Sequence, residues 1–230
     1  MALPKVIHPR NKITVPSTGD VLEFEPFTTQ DEKAIILLDK SSSLYDKSKL
    51  QQEILQKCCQ TEGFDFSKLS CVEITYLFLH LRKISVSGVL ELSATCTECG
   101  EDININIGID DIEFDKEKLK PLQFNLNTDD GPYIVTCSHI RVEDLKHIDG
   151  ENIKFDDMAV VLRSMMKPDG NDIIEFTPEE KLELFLQLDA TTAQKIVEYV
   201  NDSPKLEKKL SLECPECGHK FEGDLKDFFI

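Results

Sequence analysis

Long apolar runs, basic charge and the glycine-rich signatures of nucleotide enzymes are all missing from this sequence. No apolar stretch in its 230 residues reaches the roughly 20 residues that a helix needs to span a bilayer. The opening Met1-Ala2-Leu3-Pro4-Lys5-Val6 also lacks the hydrophobic core of a signal peptide, so the expectation is a chain that is neither exported nor inserted in a membrane. Lys and Arg number 26 against 43 Asp and Glu, a formal charge of −17. Binding to a phosphate backbone needs clustered basic groups that displace counterions, so proteins rather than DNA or RNA are the expected partners. There is no P-loop, G-x-G-x-x-G or G-x-S-x-G signature. The five histidines, His8, His80, His139, His147 and His219, form no ligand pair at helical spacing. No catalytic constellation is legible, and the chain is read as a non-enzyme.

What the sequence does have is cysteine. Eight cysteines in a chain expected to stay unexported favour metal ligation and buried thiols over a disulfide framework. Four of them stand in two clips of the form C-x-x-C-G, Cys96-Thr97-Glu98-Cys99-Gly100 and Cys214-Pro215-Glu216-Cys217-Gly218. Each clip lies between segments that alternate apolar and polar residues, such as Val89 to Ala94 and Ile103 to Ile107 around the first, so each is predicted as the tip of a β-hairpin. Two such tips brought together offer Cys96, Cys99, Cys214 and Cys217 to one structural Zn²⁺, which four thiolate sulfurs at about 2.3 Å satisfy in a closed site. Two local disulfides or two uncoupled thiol pairs are the alternatives. A redox C-x-x-C normally opens a helix, and neither clip precedes a helical pattern. His219, directly after the second clip, is a candidate replacement ligand or a hydrogen-bond partner to the site.

Other candidates read more simply as packing or solvated surface. Cys58 and Cys59 are neighbours on a predicted helix, about 100° apart, and cannot both grip one ion well. Cys137 and His139 share a face of a predicted strand, which suits a core as much as a ligand pair. Asp110, Asp111, Glu113, Asp115 and Glu117 lack the spacing and glycine of an EF-hand loop. Lys208, Lys209, Lys220 and Arg82 are expected to offset the charge of a four-thiolate site.

Along the chain, residues 12–27 read as a hairpin turning at Gly19. A helix follows, capped by Thr28 or Thr29, with Ala34, Ile35 and Leu38 on its core face, and a second helix runs from near Asp46 to Gln60. Ser70 to Ile84 is a helix apolar nearly all round, the expected centre of an N-terminal core. Between the clips, Leu122–Leu126 and Tyr133–Cys137 form a hairpin around Asp129-Asp130-Gly131-Pro132. Helices are then predicted over Val142 to Ile148, Asp156 to Met166, from Thr177 with Leu182, Phe185, Leu186 and Leu188 as core, and from Thr191 with Ala193, Ile196, Val197 and Val200 inward. The expected fold is α+β: a zinc-ribbon-like pair of hairpins, an N-terminal hairpin with helices, and a helical insertion between the clips. The corresponding partition is 1–88, 89–109, 110–207 and 208–230.

Several of these segments, taken together, resemble a known family. Val15-Pro16-Ser17-Thr18-Gly19, then Glu25-Pro26-Phe27-Thr28-Thr29-Gln30-Asp31-Glu32-Lys33, then Leu81-Arg82-Lys83-Ile84-Ser85-Val86-Ser87-Gly88 leading into Cys96-x-x-Cys99, is similar to the baseplate proteins of T-even-like contractile bacteriophages, and in particular to their hub and hub-assembly proteins. The likeness covers the first hundred residues and, more loosely, Cys214 to Ile230. It implies a structural component of the tail baseplate in or near the hub, bound to other baseplate proteins, assembled in the host bacterial cytoplasm and located in the virion tail. A hub-assembly factor absent from the mature virion, and a zinc-ribbon regulator of host transcription, are the alternatives; an oligomer within the tail is left open. Edge strands near Val15 and Phe24, and the ending Phe228-Phe229-Ile230, are the candidate contacts.

Overall fold

The computed structural model describes residues 6–38, 42–148, 154–170 and 173–224. In chain order these form β1 (Asn11–Thr14), β2 (Val21–Phe24), α1 (Thr29–Leu37), α2 (Leu44–Cys58), α3 (Cys71–Ser85), β3 (Val89–Thr95), β4 (Asp102–Gly108), β5 (Glu113–Phe114), β6 (Leu122–Thr128), β7 (Gly131–Cys137), β8 (Leu162–Met166), β9 (Ile174–Glu175), α4 (Pro178–Gln187), α5 (Ala190–Asn201), β10 (Leu206–Glu207), β11 (Lys209–Glu213) and β12 (Lys220–Asp224). The chain is mixed α/β, and its sheets are small and antiparallel. The described residues within Met1–Phe66, Val72–Asp115 and Lys205–Ile230 form one compact unit, and those within Ser67–Cys71 and Lys116–Pro204 another.

In the first unit, β1 and β2 pair across a turn closed by the Val15 N–H donating to the Asp20 carbonyl at 2.8 Å. Val15 and Phe24 are fully buried and support the core of this unit. Helix α1 starts where the capping signal places it, with Thr28 and Asp31 capping each other reciprocally. Of its expected core face, Ala34 is exposed while Ile35 and Leu38 are half-buried, and Asp31 is the buried residue of the helix. Lys57 reaches Asp31 at 2.6 Å, so the cap and an ion pair help to hold this short helix. Helix α2 buries Ile54, Leu55 and Cys58, and Cys59 serves as its C-cap. Helix α3 buries Ile74, Leu77, Phe78, Leu79 and Leu81. Period-two alternation in β4 turns Ile103, Ile105 and Ile107 inward and Asp102, Asn104 and Asn106 outward. Leu79, Leu90, Ile105, Ile107, Ile109 and Leu206 then form one apolar cluster.

The second unit has its own core, built on a four-stranded sheet of order β6-β7-β8-β9. Val135, Leu162, Phe185 and Ile196 are almost completely buried in it. The expectation of a helical insertion is therefore corrected, because the segment is sheet and helix together. Asp156 to Met166 is a 3-10 turn (Asp156–Val161) followed by β8, not one helix. Its apolar residues satisfy helical spacing, but β7 offers an open edge, and Val135 pairs with Met165 across it. Val142–His147 is likewise 3-10. Helix α4 follows the Thr177 cap, yet of its predicted core residues Leu182 and Leu186 point outward while Phe185 is buried. Helix α5 begins at Ala190, one residue before the expected start, because the Asp189 carboxylate accepts from the Thr191 and Thr192 N–H groups. Ser70 bridges to Arg141, which ties residues 67–71 to this unit. Phe228, Phe229 and Ile230 lie outside the described residues.

Candidate metal centre

Each clip is a turn held by the same two backbone hydrogen bonds. In the first, the Gly100 N–H donates to the Cys96 carbonyl at 3.0 Å and the Cys96 N–H to the Glu101 carbonyl at 2.8 Å. In the second, Gly218 donates to Cys214 and Cys214 to His219, both at 2.9 Å. Gly100 and Gly218 have φ of +77° and +71°, and a Cβ there would meet nothing within 4 Å. Backbone conformation alone therefore calls for glycine.

The turns belong to separate hairpins, β3–β4 and β11–β12, more than a hundred residues apart in sequence. Two features bring them together. Where residues 116–204 leave and rejoin this unit, β5 pairs with β10, Phe114 opposite Leu206 and Glu113 opposite Glu207. Leu210 and Leu212 of β11 then pack into the same cluster as Leu92 and Ala94 of β3. The hairpins lie side by side, and both tips end at the same level.

Cys96, Cys99, Cys214 and Cys217 consequently place their sulfurs within 4.8 Å of one another. The cross-clip separations are 3.7 Å for Cys96–Cys217 and 3.5 Å for Cys99–Cys214. An ion with four sulfurs at about 2.3 Å in a tetrahedron requires sulfur–sulfur edges of about 3.8 Å, so the cluster has the dimensions to hold a metal ion. Among the described residues this is the one group of three or more potential ligands so arranged. The first cysteine of each clip is buried and the second exposed, so one side of the cluster faces solvent and the other rests on Ile103 and Phe221.

Electrostatics of the turns favour thiolate. The Cys99 and Glu98 N–H groups point at the Cys96 sulfur and, with Cys99 and Cys217 beside it, hold that thiol down to about 6. The Glu101 N–H favours the Cys99 thiolate in the same way, but its thiol neighbours Cys217, Cys214 and Cys96 push it up to about 12. Cys217 is also raised: the His219 N–H and Cys99 lower it, and burial together with Cys214 and Cys96 outweighs them. Cysteine binds a metal as the thiolate, so a cation bound here would release protons.

His219 faces Thr97 of the other clip, Nε2 to Oγ1 at 3.4 Å, and stacks on Phe221. Lys220 pairs with Glu213 at 3.2 Å, and Arg82 donates to the Val89 carbonyl at 3.2 Å. Several other sequence candidates have partners away from the clips or lie in a core. His139 has Lys118 O at 2.6 Å from Nε2 and Ser203 Oγ at 3.2 Å from Nδ1, while Cys137 is fully buried. Asp110 pairs with Lys83, and Glu117 with Lys120.

One polar cluster in the second unit had no counterpart in the sequence reading. Arg163 donates to both oxygens of Asp144, at 2.9 and 2.6 Å, and also to Ser138 Oγ, the Val160 carbonyl and the His139 carbonyl. Lys181 joins at 3.4 Å. The only trace in sequence is an arginine inside the apolar run Val160 to Met166.

A family model described as T4 bacteriophage base plate protein matches residues 8–230. No curated protein and no solved structure matches the chain.

Proposed function

We propose, from the premise that this chain belongs to the T4 bacteriophage base plate protein family, that it is a non-enzymatic structural component of the hub region of a contractile tail. In this reading it acts through contacts with other tail proteins and is stabilised by one structural Zn²⁺ on Cys96, Cys99, Cys214 and Cys217. The carrying observation is the convergence of four sulfurs, from clips at opposite ends of a long insertion, on tetrahedral dimensions. Sulfur donors select zinc over magnesium or calcium. Four cysteine ligands would leave no open position for substrate, as expected of a structural site and unlike a catalytic one. The acidic charge favours protein over nucleic-acid partners, and no helix among the described residues is long and apolar enough to cross a membrane.

On this proposal the zinc-ribbon pair, 89–109 with 208–230, anchors a mixed sheet-and-helix insertion, and assembly takes place in the host cytoplasm. Peptide mass spectrometry of purified virions tests the structural role. Fixed stoichiometry with other baseplate proteins is expected; absence from mature particles would overturn it in favour of an assembly factor. Elemental analysis of the purified chain should find one zinc per molecule.

A further inference from the structure

We infer that the outward face of α4, with the turn at Phe155, is a docking surface for a basic, amphipathic segment of a neighbouring tail protein, an inference that rests on the baseplate reading and names the partner chemistry for it. Glu179, Leu182, Glu183 and Leu186 stand at i, i+3, i+4 and i+7 and so form one stripe of the helix. The opposite face buries Phe185, at 2% exposure, in the core of the second unit. The stripe stays outside, with Leu182 38% and Leu186 61% exposed. Phe155, 58% exposed, meets the Phe185 ring at 5.1 Å, which puts a third large apolar side chain beside the same helix. Between α4 and the 3-10 turn Asp156–Val161 lies a cavity of about 500 Å³ whose lining includes Leu182, Val160, Glu179, Asp156, Asp157 and Glu143.

Charge selects the occupant. Asp144, deeper in the cavity wall, is already neutralised by Arg163 and Lys181, and Glu143 by Lys146. Asp156, Glu179 and Glu183 have no basic partner among the described residues. The surface therefore combines apolar anchors with an uncompensated acidic rim. A second copy of this chain, at −17, would be repelled, as would an anionic lipid surface. A partner helix or strand carrying Lys or Arg around an apolar anchor meets both demands. Its aliphatic residue would enter the cavity beside Leu182 and its cations would lie over Asp156, Glu179 and Glu183.

Two measurements on the full chain decide this. A fluorescent synthetic helix with one leucine face and one lysine face should bind the wild type in a salt-dependent way. The double variant Leu182→Ser, Leu186→Ser should weaken that binding at least tenfold, and Glu179→Gln with Asp156→Asn should flatten its salt dependence. All four side chains are exposed, so the variants should fold as the parent does. Equal binding by all variants would overturn the proposal. In assembling tails, a photo-crosslinker introduced as Leu186→benzoylphenylalanine should form adducts with a Lys- or Arg-bearing segment of another tail protein. Adducts to a second copy, to an acidic segment, or none in tails that contain the chain would also overturn it. A chain absent from tails and their precursors would instead overturn the baseplate role, leaving the peptide titration to judge the surface.

Discussion

If Cys96, Cys99, Cys214 and Cys217 hold a structural zinc as proposed, removing it should unfold the clip end of the first unit while leaving the second unit intact. The reasoning starts from how little else holds the clips. Isolated two-stranded hairpins are marginal in water, and beyond the shared cluster around Leu90 and Ile107 the described residues packed at the tips are Cys96, Ile103, Cys214 and the half-buried Phe221. An ion that binds the native arrangement alone stabilises it by RT ln(1 + [L]/Kd), about 4 kcal/mol when free zinc exceeds Kd by about 1,000-fold. For a chain of this size each kcal/mol corresponds to roughly 2–4 °C in Tm, so chelation should lower the transition of the first unit by roughly 8–16 °C. The core of the second unit, around Val135, Leu162, Phe185 and Ile196, contains none of the four cysteines, so its transition should stay in place. Differential scanning calorimetry with and without chelator, paired with elemental analysis, reads both effects; Cys96→Ser should reproduce the chelated trace. Because the ligands bind as thiolates, acidification should release the ion and mimic chelation. A Cys96→Ser protein that keeps one equivalent of metal and an unchanged scan would refute the reasoning, as would a chelated wild type with both transitions unmoved.

Three further outcomes follow from the packing. Asp144→Asn leaves the Arg163 guanidinium buried without its carboxylate, and urea titration should find the second unit destabilised by about 3–5 kcal/mol. Burial alone would raise the Asp144 carboxyl, but the Arg163 hydrogen bonds and charge hold it below its ordinary 3.8. Its stabilising contribution is thus fully present above that value and fades as pH falls through the lower folded-state value. In wild type this loss should appear below about pH 4 and should be missing in Asp144→Asn. Gly218→Ala meets no clash, so its cost should be the left-handed backbone alone, about 1–2 kcal/mol, and Gly218→Asn should cost less; thermal scans of the two variants compare them. Ile196→Ala, at a fully buried position, should destabilise the second unit by about 2–5 kcal/mol in the same titration.

Local signals were legible where the residue chemistry admits one answer. Thr28 with Asp31, Thr177 with Glu180 and the turn at Asp129-Asp130 specify their caps and hairpin through side chains within three residues of the backbone groups they satisfy. The C-x-x-C-G clips are of the same kind, since spacing and glycine prescribe the turn. Asp156 to Met166 defeated the reading because its apolar residues fit both a helix and a strand. The choice fell to the open edge of β7, beside which Arg163 of β8 donates to Ser138 Oγ and the His139 carbonyl as well as to Asp144 and the Val160 carbonyl. Helix α1 follows its capping signal more closely than its apolar pattern: Ala34 is exposed, Ile35 and Leu38 are only half-buried, and the Asp31–Lys57 pair adds to what holds it.

The sequence by itself determined that this chain is acidic, that it carries two matched cysteine turns, and that these sit on alternating strands, because each property depends on residues adjacent along the chain. Only the tertiary structure decided that the turns meet, that the stretch between them folds around its own sheet, and that Leu182 and Leu186 remain outside. Those outcomes depend on the β5–β10 closure and on which apolar faces find a partner, and such long-range pairings are set by the packing of the whole chain.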